Sequence, residues 1–533
     1  MKLYWSRVWF TDTGVLGIIK INMLWLETVV DEAIARQPEG EILVSSGASP
    51  SGVYHFGHLR EVITCDVIIL ALRKRGRKAR HIHVVDDLDG FRKVPINIPE
   101  SYSQYLGMPL CDVPAPDGSG RSYADFCFDP FSDSMVKLGI EFDTIYSHER
   151  YRSGFYIPAI ERSLDKIEMA KSAIQIVSGR QLDENWSPVQ IMENGRLKNR
   201  KFINIDTNSK TISYETAEGD VTSVPYGDGR VKLDWRLDWP GRWWLMHVLV
   251  EPFGRDHASK GGSYDTGVAI SKDIYNNPAP IPVPYEFINR TGDTKKMSAS
   301  KGTGVNAHEI TDVLPGEVIR YFMLRNAPDK RLFFDETDGL IRLVDDYAAL
   351  LAKTDLTELD KEIIYLSSRG VTDRTISSVP FSHLVAAYQA SLGDIDKTLE
   401  AIGRTEYAKA VENEADIIRR EIAFVANWLK LWAPESIRFN LTDAVDPTTF
   451  SDVELAYLRA LAAEIRLAPA DADGNWFHNC VYSHRDTSGL KPGDLFTVLY
   501  RALIGKTSGP RAGWFLSILP RDWLVERLSM NIL

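Results

Sequence analysis

Cysteine is scarce. The chain has four (Cys65, Cys111, Cys127 and Cys480) spread over 533 positions without a C-x-x-C pair. That spacing excludes a disulfide framework and a cysteine-built zinc site, and it fits a reducing, cytoplasmic setting. Long apolar runs are also missing: no stretch approaches the ~18 consecutive apolar residues of a membrane-spanning helix, so no membrane partner is expected. Residues 1–22 have no apolar core followed by a small-residue cleavage site and do not read as a signal peptide. Helical patterning opens at Met23 and runs over Leu24 to Ala35, which marks 1–22 as an extension outside the core fold. Basic excess is lacking as well. With 62 Lys+Arg against 73 Asp+Glu the net charge is −11, which argues against indiscriminate binding to nucleic acid while leaving room for a shaped, locally basic RNA site. At 44% hydrophobic and 25% charged residues the composition is that of a folded globular protein, too long for one core and expected to form three or more domains.

The most informative stretch is Ile42 to Arg60. Ile42, Leu43 and Val44 form an apolar run of strand type; Gly47, Pro50 and Gly52 punctuate it; Val62 to Leu72 supply an apolar run long enough for a helix. A strand, turn and helix in this order point backbone N–H groups and the positive end of a helix at one spot, which suits phosphate. His55 and His58, three apart, share a face of the opening helical turn and can both donate to an anion. The turn has neither the G-x-x-x-x-G-K-[ST] cradle nor the G-x-G-x-x-G pattern, so the usual nucleotide-binding loops are excluded there. A Gly/Ser turn alone is a weak signal, since most are only turns.

Downstream, Arg73 to Arg80 form a basic turn that reads equally as a solvated surface or as a guide for a polyanion. It leads into a strand, His81 to Val85, which ends in Asp86, Asp87 and Asp89, the position of ligands in an open α/β sheet. Residues 95–130 read as irregular. Ile157 to Ile176 read as helical, and Phe202 to Asp206 with Thr211 to Tyr214 read as a hairpin around Thr207–Lys210, together a small inserted domain. The sheet pattern is expected to resume over Trp243 to Val250. Lys295 to Gly304 combine lysines, hydroxyls and glycines, a composition that suits either a phosphate-covering loop or a plain surface loop. From about residue 340 helical spacing takes over, as in Leu340, Leu343, Val344 and Tyr347; Ser451 with Glu454 reads as a capping box.

A phosphate-compatible turn and a Lys/Ser/Gly loop, joined by alternating strands and helices, fit a doubly wound sheet whose crevice both flank. Here the chain resembles the class I aminoacyl-tRNA synthetases: His55-Phe56-Gly57-His58 is similar to their HIGH signature and Lys296-Met297-Ser298-Ala299-Ser300 to their KMSKS signature. Ser46 to Gly52, Asp86-Asp87 with Arg92 to Pro95, Glu251 to His257, Gly261 to Asp265 and Lys296 to Gly302 are similar to the lysyl type within that family, and Leu503 to Leu516 resembles the end of its helical region. The resemblance implies a Rossmann-type parallel α/β sheet with a small insertion and an all-helical C-terminal anticodon-binding domain. The implied division is 1–40 for the extension and first helix, 41–150 and 232–290 for the two catalytic halves, 151–231 for the insertion, 291–340 for the KMSKS and stem-contact region, and 341–533 for the helical domain.

It also implies a reaction: L-lysine is activated with ATP, magnesium arriving with the nucleotide, and the lysyl group passes to the 3′ end of lysine tRNA. By correspondence His55, His58, Lys296 and Lys301 are catalytic. Ser49, Pro50, Gly52, Gly57, Asp256, Met297, Ser298 and Ser300 face ATP. Gly47, Ser49, Asp87, Trp243, His257 and Tyr285 hold the amino acid, in a region where Trp235, Trp239, Trp243 and Trp244 crowd together. Ala299 stands where the signature has its second lysine, with Lys301 two positions on. Residues 151–231 hold no cysteine, so no structural zinc is expected there. Glutamyl-tRNA synthetase and a non-catalytic tRNA-binding relative stay open as alternatives, as do the oligomeric state and any need for tRNA in activation.

Overall fold

The computed structural model describes residues 16–183, 186–292, 304–371, 373, 375–442 and 444–530, with side chains from Met23 onward. The chain forms two compact units. One takes the residues up to Thr311 with Ile319–Phe334 and Thr357–Gly370; the other takes Asp312–Val318, Asp335–Leu356 and Val371 onward. These boundaries interleave around 312–370, where a linear division at 341 was expected.

In the first unit, helix α1 (Leu16–Arg36) precedes strand β1 (Ile42–Ala48), helix α2 (Phe56–Lys74) and strand β2 (Ala79–Val85). Helix α3 (Tyr123–Lys137) leads to β3 (Asp143–Tyr146), after which come α4 (Ser147–Arg152), α5 (Ile157–Asp165) and α6 (Ile167–Ser178). The antiparallel insertion comprises β4 (Val189–Glu193), β5 (Arg196–Asn199), β6 (Lys201–Asp206), β7 (Thr211–Glu215), β8 (Val221–Pro225) and β9 (Val231–Leu233). Helix α7 (Trp235–Met246) and β10 (Val250–Gly254) follow, then α8 (Ser263–Asp273) and β11 (Ile281–Tyr285). A separate parallel pair joins β12 (Ile288–Arg290) to β13 (Leu332–Phe334).

Five strands make the main sheet, in the order β11-β10-β1-β2-β3, every pairing parallel. β10 is buried throughout and β1 through Ser46, which is why both read as apolar runs without alternation. The strand order reverses at β1, between β10 and β2, so a crevice opens at the carboxyl ends of β1 and β10, beside Gly47 and Gly254. In the insertion β6 pairs with β7, Asp206 opposite Thr211, closing the expected hairpin over Thr207–Lys210.

Local readings differ from the structure at several places. Helix α1 opens at Leu16 rather than at Met23. Part of the stretch read as irregular is helix α3, whose N-cap Ser122 accepts the Asp125 N–H at 3.0 Å. The expected strand over Trp243–Val250 is instead the end of α7, which stops at His247 in the left-handed region (φ 56°), and the strand begins at Val250. Four tryptophans mimic a strand in composition, but the spacing at 235, 239 and 243 is helical and packs those three indoles in succession, Trp235 stacked on Trp239 and Trp243 tilted against it. The basic run at 73–80 is a solvated face: Arg73 pairs with Glu141, Lys74 with Glu362, Arg75 with Asp31, and Arg80 with Glu41 and Asp143.

In the second unit the described secondary structure is helical, its longest element being Ala408–Leu431. The capping box before Asp452–Arg466 forms as read: Ser451 Oγ accepts the Glu454 N–H at 3.3 Å, and Glu454 Oε2 accepts the Ser451 N–H at 2.7 Å.

Candidate active site

The start of α2 is closed by its own histidines. His55 is the N-cap and its Nδ1 accepts the Gly57 N–H at 3.0 Å, while His58 Nδ1 accepts the His55 N–H at 3.1 Å. An imidazole nitrogen that accepts carries no proton, so the neutral His55 ring holds its proton on Nε2, whereas His58 Nδ1 also lies 3.2 Å from His55 O, a contact it makes as a donor in the other tautomer. Burial pushes His58 down to about 4, which keeps it neutral at physiological pH. Glu309 Oε2 accepts the Asn306 N–H, Phe56 N–H donates to Val305 O at 2.8 Å, and Ala307 N–H donates to Tyr54 O at 2.9 Å. The chain re-entering at Gly304 is thus bonded directly to the helix entrance. Lys296, Met297, Ser298, Ser300 and Lys301 lie outside the described residues.

Beside the helix start lies a cavity of about 420 Å³. Gly47 sits at its wall because only glycine fits: a Cβ there would come 2.9 Å from Val84 O and 3.3 Å from Arg242 Nη1. Glu61, Asp86, Asp89, Glu251 and Asp256 line the cavity, and two of these carboxyls, Glu61 and Glu251, are held by neutral donors. Glu61 Oε1 accepts the Gly47 N–H at 2.9 Å and its Oε2 bonds the Tyr285 hydroxyl at 2.6 Å. Glu251 Oε1 accepts Trp239 Nε1–H at 2.9 Å and its Oε2 accepts Trp243 Nε1–H. Burial raises both groups to about 7 against these hydrogen bonds. Among the described residues, neither Glu61 nor Glu251 is hydrogen-bonded to a basic side chain. Trp235 and Trp239 stack at 5.2 Å with His257 5.9 and 5.6 Å from their rings, giving the cavity an aromatic side.

Arg242 also reaches the cavity, but its Nη2 is bonded to Asp86 and, at 3.2 Å, to Asp238 Oδ1. Lys232 completes the cluster, 3.2 Å from Asp238 Oδ2 and 3.1 Å from Asp89 Oδ1. Burial lifts Asp86 to about 6, while Arg242 opposes that rise. This network ties α7 to the end of β2 through Arg242 Nη2.

Of the residues singled out from the sequence, Gly47, Ser49, His55, Gly57, His58, Asp256, His257 and Tyr285 come together on the cavity wall. Pro50 and Gly52 are buried within the turn and do not line it, whereas Ser51 between them does. Trp243 stands one layer behind: it is fully buried, and Trp235 and Trp239 form the wall in its place. Asp87 points away, its carboxylate accepting Ser147 Oγ–H at 3.0 Å and the His148 N–H at 2.9 Å and bonding His148 Nδ1. Asp87, Cys111 and His148 bring three donor atoms within 4.8 Å of one another, but those bonds and Arg152 Nη2, 3.7 Å from Cys111 Sγ, make the trio a hydrogen-bonded clasp.

Glu61 and Glu251 were missed from the sequence. Glu61 reads there as an ordinary helix-surface acid. Glu251 carried a usable signal, since an acid inside the buried strand Val250–Gly254 is costly unless paired or functional.

The family described as tRNA synthetases class I (K) matches residues 23–367. The lysine–tRNA ligase 1 of Methanosarcina acetivorans is 36% identical over 531 residues, covering 95% of this chain and 98% of its own. The lysine–tRNA ligase of Archaeoglobus fulgidus is 35% identical over 512 residues, with 95% and 99% covered. Among solved structures, a glutamate tRNA ligase from Elizabethkingia meningosepticum in complex with its amino acid is 13% identical, with 92% of this chain and 98% of that chain covered at a TM-score of 0.44.

Proposed function

Because the chain belongs to the class I (K) tRNA synthetases, we propose that it is a lysine–tRNA ligase, joining L-lysine to lysine tRNA at the expense of ATP. The observation that carries the amino-acid choice is a pair of carboxyls at the cavity, Glu61 and Glu251, neither bonded to a basic side chain among the described residues. A buried carboxylate calls for a cation, and the lysine ammonium supplies one beside the indoles of Trp235 and Trp239. A glutamate side chain would meet the carboxylate of Glu251, and Arg242, the guanidinium on the cavity wall, is bonded through Nη2 to Asp86 and Asp238.

In the first step a lysine carboxylate oxygen attacks the α-phosphorus of magnesium-bound ATP, the bond to the bridging oxygen breaks, and pyrophosphate leaves. Negative charge accumulates on the α-phosphate oxygens, so fixed donors matter more than a proton-transferring group. His55 and His58, at the positive end of α2, are assigned as those donors. Lys296 and Lys301 are assigned to the leaving pyrophosphate. In the second step a hydroxyl of the terminal tRNA ribose attacks the lysyl carbonyl carbon and AMP departs. The helical second unit is assigned to the anticodon end of the tRNA. ATP–pyrophosphate exchange with each amino acid, with and without tRNA, tests this reading. Exchange with lysine alone is expected, and exchange with glutamate in its place overturns it.

A further inference from the structure

We infer, given the lysine reading above, that the amino-acid pocket holds a proton on Glu61 when empty and releases it to solvent when a substrate ammonium enters. The geometry separates the two carboxyls. Both oxygens of Glu251 face indole N–H groups, which only donate, so Glu251 is held as an ionised acceptor. Glu61 Oε2 faces the Tyr285 hydroxyl, which can donate or accept. Protonated Glu61 donates to Tyr285 Oη across the same 2.6 Å, and ionised Glu61 accepts from it. The Gly47 N–H bonds Oε1 in either state. The pocket can therefore hold one proton without breaking a hydrogen bond.

The surroundings favour that proton while the pocket is empty. Around Glu61 stand Glu251 on β10, Asp256 just after it, Tyr285 on β11, Cys65 on the same helix and Tyr54 before it, all acidic or neutral. The basic groups near it are Arg242 on α7, bonded to Asp86 and Asp238, Arg60 on α2, whose guanidinium donates to the carbonyls of Glu286, Pro328 and Lys330, and the imidazoles of His55, His58 and His257 on the cavity wall. Two ionised carboxylates set this deep would repel each other, with no counter-charge bonded to either among the described residues. An arriving ammonium supplies the charge; the Glu61 O–H bond breaks, the proton goes to buffer, and an ammonium–carboxylate pair forms. Burial, which raises Glu61 to about 7, sets the range over which this exchange is seen.

Isothermal titration of lysine into the full-length protein at pH 6, in buffers of different ionisation enthalpy, reads the number of protons exchanged. We expect release approaching one proton per lysine at pH 6, falling to none by about pH 9, with lysine affinity weakening about tenfold per pH unit below 7. Norleucine, which has the same chain without the ammonium, is expected to bind with no release. Glu61→Gln is expected to retain weakened lysine binding without release. Lysine binding with the same heat in every buffer, or release that persists in Glu61→Gln, overturns the inference and leaves the lysine reading intact. Absence of lysine binding to the wild-type protein at any pH, with glutamate binding instead, overturns the lysine reading itself.

Discussion

His58 Nδ1 accepts the backbone N–H of His55 at 3.1 Å, so the residue assigned to phosphate also completes the capping box of its helix. The two tasks can be separated. His58→Ala removes both and is expected to cost about 1 kcal/mol of stability for the lost cap, with pyrophosphate exchange reduced about 100- to 1,000-fold. His58→Asn returns an acceptor to the capping position but no ring donor, so its melting temperature should recover while exchange stays low. Exchange that recovers together with melting temperature would show that His58 acts only as a cap.

Glu251 fixes the aromatic wall by holding Trp239 and Trp243 through one oxygen each. In Glu251→Gln one indole N–H meets an amide NH2, donor against donor. Losing a hydrogen bond to a charged acceptor costs about 1.5–3 kcal/mol. The KM for lysine is therefore expected to rise roughly 10- to 150-fold. Tryptophan emission should shift in the same variant, because one indole N–H loses its acceptor. Unchanged KM and emission would place the tryptophans under other control.

Much of this site was legible in the chain because it lies on local features. The strand, turn and helix of 42–74 follow from an apolar run, a Gly/Pro turn and a second apolar run, and Ser451 with Glu454 announces its helix three residues ahead. Glu61 was not legible, since its importance comes from Tyr285, 224 residues away. Trp243 was placed one layer too far forward for a related reason: sequence shows four tryptophans together, but only the packing of α7 on β10 decides which indoles face the cavity. Asp87 and Asp86 are neighbours with opposite fates because successive residues leaving a strand point to opposite sides.

Asp66 on α2 carries a second long-range demand. Arg320 Nη2 lies 2.7 Å from its Oδ2, and Arg369 donates to it through Nε and Nη2 at 3.2 Å each. Asp66 is 2% exposed and Arg320 1%. Asp66→Asn leaves a buried guanidinium without its counter-charge, and destabilisation of about 3–5 kcal/mol is expected in denaturant unfolding. A loss below about 1 kcal/mol would mean that water reaches the pair.

Glu421, in the helical unit, gives a stability effect whose size depends on pH. It is 1% exposed and accepts the Ser377 N–H at 3.2 Å, and burial raises it to about 7. Its folded pKa lies above its unfolded value near 4.5, so the folded state binds the extra proton between those limits. The neutral side chain therefore favours folding up to about pH 4.5; that advantage is lost as pH rises towards 7, and the ionised form burdens the fold above it. Glu421→Gln keeps an acceptor for Ser377 and never ionises. At pH 8 the variant is expected to be more stable than wild type by roughly 1–3 kcal/mol, with the difference vanishing near pH 4.5. Paired denaturant titrations at the two pH values read it directly, and a difference independent of pH would show that Glu421 does not titrate in the folded protein.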